Sequence, residues 1–244
     1  MGRKWLNIKL DKGKTDAQRG ALFTRLSREI TLSAKSGSPD PESNHRLKLA
    51  VEKAREHNMP SDNVKRAIAR ASGSGEKEIE EIRYEGYGPA GLAVVVDAAT
   101  DNRNRTAGEF RFMFTKHGGQ LGETGSVAWM FDAVGVIEVA PKGASEDALT
   151  ESALVDGVID VDYTPTRAYI YTVPTQLAAA RDALRGELKV ADVYLGVRAK
   201  QTVAPEGSEL AAALAFLEVL EDHEDIQHVF SNLDVSEAAL EALT

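Results

Sequence analysis

The N-terminal third of the chain repeats apolar residues with the period of an α-helix. Leu22, Leu26 and Ile30 recur at i, i+4 and i+8 with Phe23 beside them, which predicts a helix over about Asp16–Lys35. Basic residues fall on the opposite side of the helical wheel; they are Lys14, Arg25, Arg28 and Lys35. This pattern predicts that the apolar stripe faces a core and that the cations face solvent.

Two shorter helical patterns follow. Apolar residues at i, i+3, i+4 and i+7 predict a second helix over about residues 44–57. A third helix is expected to begin at Ser61 or Asp62, either of which would cap it, and to end near Ala71. A Gly- and Ser-rich flexible linker is expected over residues 72–76. The segment therefore predicts a small three-helix bundle.

The pattern changes after this linker. Short apolar runs, typical of strands, alternate with longer helical segments, which indicates an α/β or α+β protein. Strands are predicted at about residues 92–98, 126–131, 134–139, 158–163, 167–173, 189–198 and 226–230, and helices at about 102–116, 148–157, 175–185 and 209–220. The strands over 126–131 and 134–139 are either separate or continuous through residues 132–135.

Charge is distributed unevenly along the chain. Residues 1–75 carry 16 Lys and Arg against 8 Asp and Glu, a net charge of +8. Residues 76–244 carry 13 against 30, a net charge of −17. Such asymmetry indicates a basic module that binds a polyanion, joined to an acidic body. The alternative is that the basic end docks on the acidic body.

The composition excludes several classes of protein. No apolar run approaches the roughly 18 residues that cross a bilayer, and no apolar segment follows the basic N-terminus, so we expect neither a membrane span nor a secretory signal. The chain has no cysteine, which excludes disulfides, thiol nucleophiles and cysteine-ligated metals. We expect a cytoplasmic protein.

The chain offers few catalytic patterns. None of its five histidines has a recognised metal spacing, although His223 and His228 lie in an acidic stretch, where weak divalent-cation affinity and a solvated helix end are the alternatives. Glycines cluster between residues 118 and 125 without the Lys of a phosphate loop. A helix end with a turn is expected there, or a flexible contact loop. We expect no enzymatic activity and no cofactor or metal.

The basic features fit nucleic acid better. The first 15 residues predict a mobile arm of cations with one aromatic residue; its members are Arg3, Lys4, Trp5, Lys9, Lys12 and Lys14. Cations neutralise phosphates, and an indole stacks on an unpaired base. The alternative for Trp5 is packing on the bundle. Four tyrosines on predicted strands fit either base stacking or a sheet core; they are Tyr163, Tyr169, Tyr171 and Tyr194.

A second basic feature is the DNRNRT segment. Arg103 and Arg105 lie at the start of a predicted helix, where the helix dipole prefers negative charge. A local cost of this kind, without an evident structural gain, points to function. The alternative is an ion pair with Asp97, Asp101 or Glu109.

Several long segments resemble the YebC/PmpR family, which is related to the mitochondrial translational activator of cytochrome c oxidase. These segments are KWLNIK, RGALFTRLSREITLSAKSG, RLKLAVEKAREHNMPSDNVKRAI, EIRYEGYGPAGLAVVV, TDNRNRT and GGQLGETGSVAWMF. The resemblance is dense from about Trp5 to Phe131 and looser afterwards. Many members begin Gly-His-Ser-Lys-Trp, whereas this chain begins Gly2-Arg3-Lys4-Trp5, so only the Lys-Trp pair carries over.

The resemblance implies a three-domain α+β protein without enzymatic activity. A helical bundle is followed by two α/β sandwich domains, and a ferredoxin-like third domain is inserted into the second. The expected domains are therefore residues 1–75, residues 76–131 with 205–244, and residues 132–204. Family members have been described as DNA-binding transcriptional regulators, and others resemble translation factors that act on the ribosome, including at proline-rich stretches.

We predict a nucleic-acid-binding regulator that contacts mainly the phosphate backbone. Three hypotheses stay open: duplex-DNA binding in transcription, binding to structured RNA or the ribosome in translation, and a protein-interaction module whose basic end only closes on its body. No membrane or small-molecule partner is expected. The residues predicted to contact nucleic acid are Arg3, Lys4, Trp5, Lys9, Lys12, Lys14, Arg25, Arg28, Lys35, Lys65, Arg66, Arg70, Arg103 and Arg105. Charge reversal of Arg25 and Arg28 should abolish binding under the first two hypotheses and loosen the fold under the third.

Overall fold

The computed structural model describes residues 3–4, 16–73, 78–164, 167–184, 188–235 and 239. Its helices are α1 (Asp16–Lys35), α2 (His45–Glu56), α3 (Ser61–Ser72), α4 (Arg103–Lys116), α5 (Glu146–Ser152), α6 (Leu177–Leu184) and α7 (Gly207–Glu221). Its strands are β1 (Arg3–Lys4), β2 (Glu80–Tyr87), β3 (Ala93–Thr100), β4 (Gln120–Leu121), β5 (Phe131–Ala140), β6 (Val158–Tyr163), β7 (Ala168–Thr172), β8 (Lys189–Ala199), β9 (Ile226–Ser231) and β10 (Asp234–Val235). The predicted α+β class, with a helical N-terminal region and two sheets, is confirmed.

The three N-terminal helices pack around the apolar stripe of α1. Leu22, Leu26 and Ile30 are buried against apolar residues of α2 and α3. The side chain of Asn44 caps α2 by accepting from the Leu47 N–H at 3.1 Å. The predicted cap of α3 is wrong, because Pro60 occupies the N-cap position, with no side-chain cap, and the helix already includes Ser61.

The first large sheet has the strand order β4-β2-β3-β9, and every pair is antiparallel. Helices α4 and α7 cover one face, where Phe110, Phe114 and Phe216 are fully buried against β3. The opposite face packs on Val127, Phe131 and their neighbours. Both faces of β3 are therefore covered, which explains its nearly continuous apolar sequence.

The second large sheet has the order β6-β7-β5-β8, again antiparallel throughout. Its elements follow the sequence βαββαβ with α5 and α6 on one face, which is the ferredoxin-like arrangement that the resemblance implied. Tyr169 and Tyr171 are buried in the other face. These two tyrosines form sheet core and are not surfaces for base stacking.

The two large sheets are interleaved along the chain. The first sheet takes β2, β3 and β4 from before β5 and β9 from after β8, so the second sheet lies within its connection. This topology supports the expected insertion, while the exact domain boundaries stay a prediction. Of the described helices, none has the length and hydropathy needed to span a membrane.

One expected strand is absent at its predicted place among the described residues, and one observed strand was not predicted. The run of residues 126–131 is not a strand: Ala128–Met130 forms one 3₁₀ turn, and β5 begins at Phe131. The sequence pattern also missed β2, whose charged residues alternate irregularly with apolar ones. Its long pairing with β3 overrides a weak local preference for strand structure.

Candidate nucleic-acid interface

The exposed face of α3 carries three of the predicted contact residues. Val64 and Ala67 turn inward, which leaves Lys65, Arg66 and Arg70 on the solvent side of the helix. The side chain of Lys65 is 78% exposed, and its ammonium lies 4.0 Å from Asp62, an exposed carboxylate one turn earlier. The face therefore exposes three cations to solvent.

Within the described part of the chain, Arg66 contacts residues of its own helical turn. Its Nε donates to the backbone oxygen of Asp62 at 3.3 Å, and its Nη2 donates to the side chain of Asn63. Both partners lie within one helical turn, so they hold the guanidinium along the surface without burying it. Bidentate donors of this kind suit phosphate oxygens.

Two cations of α1, Arg25 and Arg28, are docked within the protein, and the expectation that they face solvent is wrong for them. Arg28 is only 7% exposed, and its Nη1 lies 2.5 Å from the carboxylate of Asp225 and donates to the backbone oxygen of Glu224 at 2.6 Å. Arg25 donates to the backbone oxygen of Glu221 at 3.1 Å. The polar side of α1 therefore docks on the loop between α7 and β9.

Arg105 joins the same loop from the other side. Its Nη2 lies 3.0 and 2.9 Å from the two carboxylate oxygens of Asp225, and further carboxylates of Asp101 and Glu109 lie at 3.2 and 3.8 Å. Asp101 and Glu109 were among the alternative partners expected from the sequence. Asp225, which has the shortest contact, was not. The expected contact between Arg105 and nucleic acid thus gives way to a structural ion pair.

Asp225 is the centre of this cluster, and its side chain is fully buried. Burial by itself would raise the pKa of Asp225, but hydrogen bonds from Thr106 and Arg105 and the charge of Arg28 lower it below its usual value. The hydrogen bond to Asp225 in turn raises the pKa of Arg105. The carboxylate therefore stays charged and ties α1, α4 and the loop before β9 together.

Two further predicted contacts are exposed but paired. Arg103 is 66% exposed, and its guanidinium lies 3.8 Å from Glu80 at the start of β2. The ammonium of Lys35, at the end of α1, contacts Glu78. Pairs this exposed are weak and compete poorly with a polyanion. Both cations can therefore reach a phosphate.

The predicted arm lies largely outside the described residues. This holds for Trp5, Lys9, Lys12 and Lys14. The backbones of Arg3 and Lys4 pair with Val235 and Asp234 in a short antiparallel ladder. These two residues are therefore part of a two-stranded sheet, and the expectation of a mobile arm is wrong for them.

Comparisons with known proteins identify the family. Residues 3–74 match a family model described as the TACO1/YebC protein N-terminal domain, and residues 79–233 match one described as the TACO1/YebC second and third domain. The chain belongs to the TACO1/YebC family. The family resemblance seen in the sequence is thereby confirmed.

Relatives of this TACO1/YebC chain match along almost its whole length. A probable transcriptional regulatory protein of Pelotomaculum thermopropionicum is 45% identical over 96% of the chain and 98% of the relative. One of Symbiobacterium thermophilum is 46% identical over 98% and 100%. The crystal structure of a conserved hypothetical protein from Aquifex aeolicus has a TM-score of 0.86 at 41% identity, covering 96% of this chain and 97% of that one.

A second ion cluster in this TACO1/YebC chain was missed by the sequence analysis. Lys53 of α2 lies 2.5 Å from Asp192 of β8 and 3.3 Å from Glu29 of α1. Burial would raise the pKa of Asp192, but Lys53 and His228 lower it. The cluster ties the bundle to the second sheet. Its members are separated by up to 163 residues, so no local motif could reveal it.

Among the described residues, one cluster consists of side chains of the kinds that bind metal ions. Its members are Glu109, His223 and Asp225. The Asp225 N–H donates to Nδ1 of His223 at 3.1 Å, so the proton lies on Nε2, which meets Glu109 at 3.0 Å. Both ring nitrogens are thus used, and the Asp225 carboxylate is held by two arginines and Thr106. The group does not fit a metal, and the expectation of a solvated helix end is wrong for His223.

Proposed function

We propose that this protein is a nucleic-acid-binding regulator of gene expression that grips the phosphate backbone through the exposed face of α3. The observation that carries the proposal is that Lys65, Arg66 and Arg70 are all exposed on one face of this helix. The names of the relatives, probable transcriptional regulatory proteins, support a regulatory role. On that basis duplex DNA in transcriptional control is the first candidate partner.

The side chains of α3 favour backbone contact over sequence reading. Base recognition uses hydrogen bonds to base edges, whereas long cationic side chains position a protein on phosphates of any sequence. Asn63, the one amide on this helix, already accepts from Arg66. We therefore expect affinity that depends strongly on salt and weakly on sequence.

Neutralising the α3 face tests the proposal. Lys65→Gln, Arg66→Gln and Arg70→Gln together should weaken binding to duplex DNA and to structured RNA, and should flatten the slope of log K against log salt by about 2 to 3, since each phosphate contact contributes roughly 0.9. Fluorescence anisotropy across a salt series measures both effects. Glutamine keeps the helix propensity close to that of Lys and Arg.

The matched control removes three exposed cations outside the bundle, with Arg111→Gln, Lys116→Gln and Lys142→Gln. It changes the net charge by the same amount, so a general charge effect would weaken both variants alike. Equal losses in the two variants would contradict a contact surface on α3.

Co-sedimentation with ribosomes separates the two candidate partners. At about 0.15 M salt, where surface charges further apart than roughly 8 Å are screened, excess duplex DNA should strip a DNA-binding regulator from the pellet, and a promoter fragment should do so better than random duplex. Retention on ribosomes despite the DNA would assign the protein to translation and overturn the transcriptional candidate.

A further inference from the structure

The loop of residues 122–130, after β4, is held in one conformation by a buried carboxylate. Glu85 is 3% exposed and accepts backbone N–H groups of Gly125 at 2.9 Å, Val127 at 3.0 Å and Ala128 at 2.8 Å. Burial would raise the pKa of Glu85, but these three donors lower it, so the carboxylate stays charged. The loop is therefore preorganised. Helix α4 ends at Lys116 before this glycine cluster, so the structure has the helix end with a turn that was one of the two alternatives expected there.

An aromatic pair, Trp129 of this loop and Tyr87 at the end of β2, is exposed to solvent. The side chain of Trp129 is 66% exposed and that of Tyr87 is 38% exposed. The Trp129 Nε1–H and the Tyr87 hydroxyl both donate to the backbone oxygen of Ser126, at 3.1 and 3.3 Å. The polar ends of the two side chains therefore share one acceptor. Because the indole N–H is satisfied within the protein, the ring face is the part of Trp129 that remains for a partner.

Lys200 contacts the backbone of the Trp129 turn. The backbone N–H of Lys200 donates to Met130 O at 2.9 Å, which braces the loop from the end of β8. The Lys200 ammonium donates to Trp129 O at 3.0 Å and lies 3.4 Å from Asp132. An ammonium has three N–H donors, so one stays available. The surface thus combines aromatic faces with a single cationic donor.

This composition fits one kind of ligand best. An aromatic face accepts any base that is not already stacked, and a neighbouring cation contacts the adjoining phosphate. A polyanion alone would gain little here, because Asp132 offsets the charge of Lys200. Base pairs inside a continuous duplex have no free face to offer. The ligand is therefore an unpaired base within the bound nucleic acid.

We propose that Trp129 and Tyr87 form a stacking platform for an unpaired base, with Lys200 at the neighbouring phosphate. The proposal rests on the proposed nucleic-acid function and narrows the partner to a nucleic acid with at least one unpaired base, which structured RNA offers and a continuous duplex does not. It also gives the protein a second contact surface. The aromatic pair stacks on a base, whereas the cations of α3 contact the phosphate backbone.

The test compares two fluorescein-labelled probes, a blunt RNA duplex and the same duplex with an unpaired 3′ adenosine tail. The wild-type protein should prefer the tailed probe. Trp129→Ala should weaken binding to the tailed probe by about 5- to 150-fold, the range for one stacked base, and leave affinity for the blunt duplex unchanged. Trp129→Phe keeps an aromatic face and should restore most of the lost affinity.

The matched control is Phe112→Ala. Phe112 is 65% exposed on α4, like Trp129, but it lies outside the loop. It should leave both affinities unchanged. Lys200→Met should flatten the salt slope for the tailed probe by about 1, whereas Trp129→Ala should not change it. Thermal unfolding of each variant confirms that it folds.

The outcomes separate this inference from the proposed function. If the wild type has no preference for the tailed probe, or if Trp129→Ala binds it as tightly as wild type, the stacking platform is wrong. In that case the proposed nucleic-acid function is still supported if the triple glutamine variant of α3 loses binding to both probes. Wild-type protein that binds neither RNA probe nor duplex DNA would remove both.

Discussion

Helices α1 and α3 both belong to the basic bundle, but their cations serve different ends. Arg28 on α1 is almost fully buried and contacts Asp225 at 2.5 Å, whereas Lys65 on α3 is mostly exposed and its closest carboxylate lies at 4.0 Å. An arginine is buried at this level only when it is paired. The comparison teaches that a positive helix is not by itself a binding surface.

The two interpretations of the uneven charge, a basic module that binds a polyanion and a basic end that docks on the acidic body, are therefore compatible. Part of the positive charge docks the bundle on the acidic body, through Arg25, Arg28 and Lys53. The remaining cations on α3 stay open to solvent. Substitution of the docked groups should therefore lower stability, whereas substitution of the exposed cations should lower affinity for nucleic acid.

The largest effect is expected at Asp225. Asp225→Asn removes the charge that pairs with buried Arg28 and with Arg105, and loss of one partner of a buried ion pair costs about 3–5 kcal/mol. Urea unfolding should show this loss, while the folded variant keeps wild-type affinity for nucleic acid because α3 is untouched. A loss of affinity at unchanged stability would reverse the roles assigned to the two helices.

The same carboxylate should make stability fall in acid. The folded pKa of Asp225 is lower than its unfolded value of about 3.9, so its contribution is present above the unfolded pKa and disappears as the pH falls through the folded pKa. Urea unfolding from pH 6 down to pH 3 should therefore bring wild type and Asp225→Asn closer together below roughly pH 4.

Asp62→Asn provides the control for this acid dependence. Asp62 lies on α3 and its side chain is 86% exposed. Its substitution should change the free energy of unfolding by less than about 0.5 kcal/mol throughout the pH range. A gap between wild type and Asp225→Asn that stays constant on acidification would contradict the role given to Asp225.

Local sequence patterns predicted most of the helices and strands, but they did not predict which of these elements pack against one another. The bounds of α1 and the hairpin of β6 and β7 follow from local periodicity, because 3.6- and 2-residue repeats mark the side that is buried. A helical wheel, however, does not distinguish solvent from a second packed surface. The partners of Arg25 and Arg28 lie 196 residues further along the chain, where no local pattern reaches.

The candidate site shows the same limit. Lys65 and Arg66 could be placed on the exposed face of α3 from spacing alone, since the apolar positions of that helix are unambiguous. The exposure of Trp129 could not be predicted, because its turn is set by three backbone hydrogen bonds to Glu85, some 40 residues earlier. The apolar run that predicts a strand over residues 126–131 therefore contains a 3₁₀ turn, which exposes Trp129 to solvent.

Arg103 and Arg105 repeat the comparison within a single helical turn. Arg105→Ala removes the hydrogen bonds to the charged, buried Asp225. Since a single hydrogen bond to a charged group contributes about 1.5–3 kcal/mol, stability should fall by at least about 1.5 kcal/mol. Arg103→Ala should change stability by less than about 0.5 kcal/mol, because its contact with Glu80 is exposed. Urea unfolding of the two variants gives a direct contrast between arginines of the same DNRNRT segment.

Measurements of nucleic-acid binding distinguish the two arginines further, because Arg103 remains a candidate phosphate contact. If it is one, Arg103→Ala flattens the salt slope by about 1 without loss of stability. Arg105→Ala should leave that slope unchanged once the variant is folded. Equal stability losses in the two variants would mean that Arg103 is docked as firmly as Arg105. The cost of two arginines against the helix dipole would then be offset entirely within the protein.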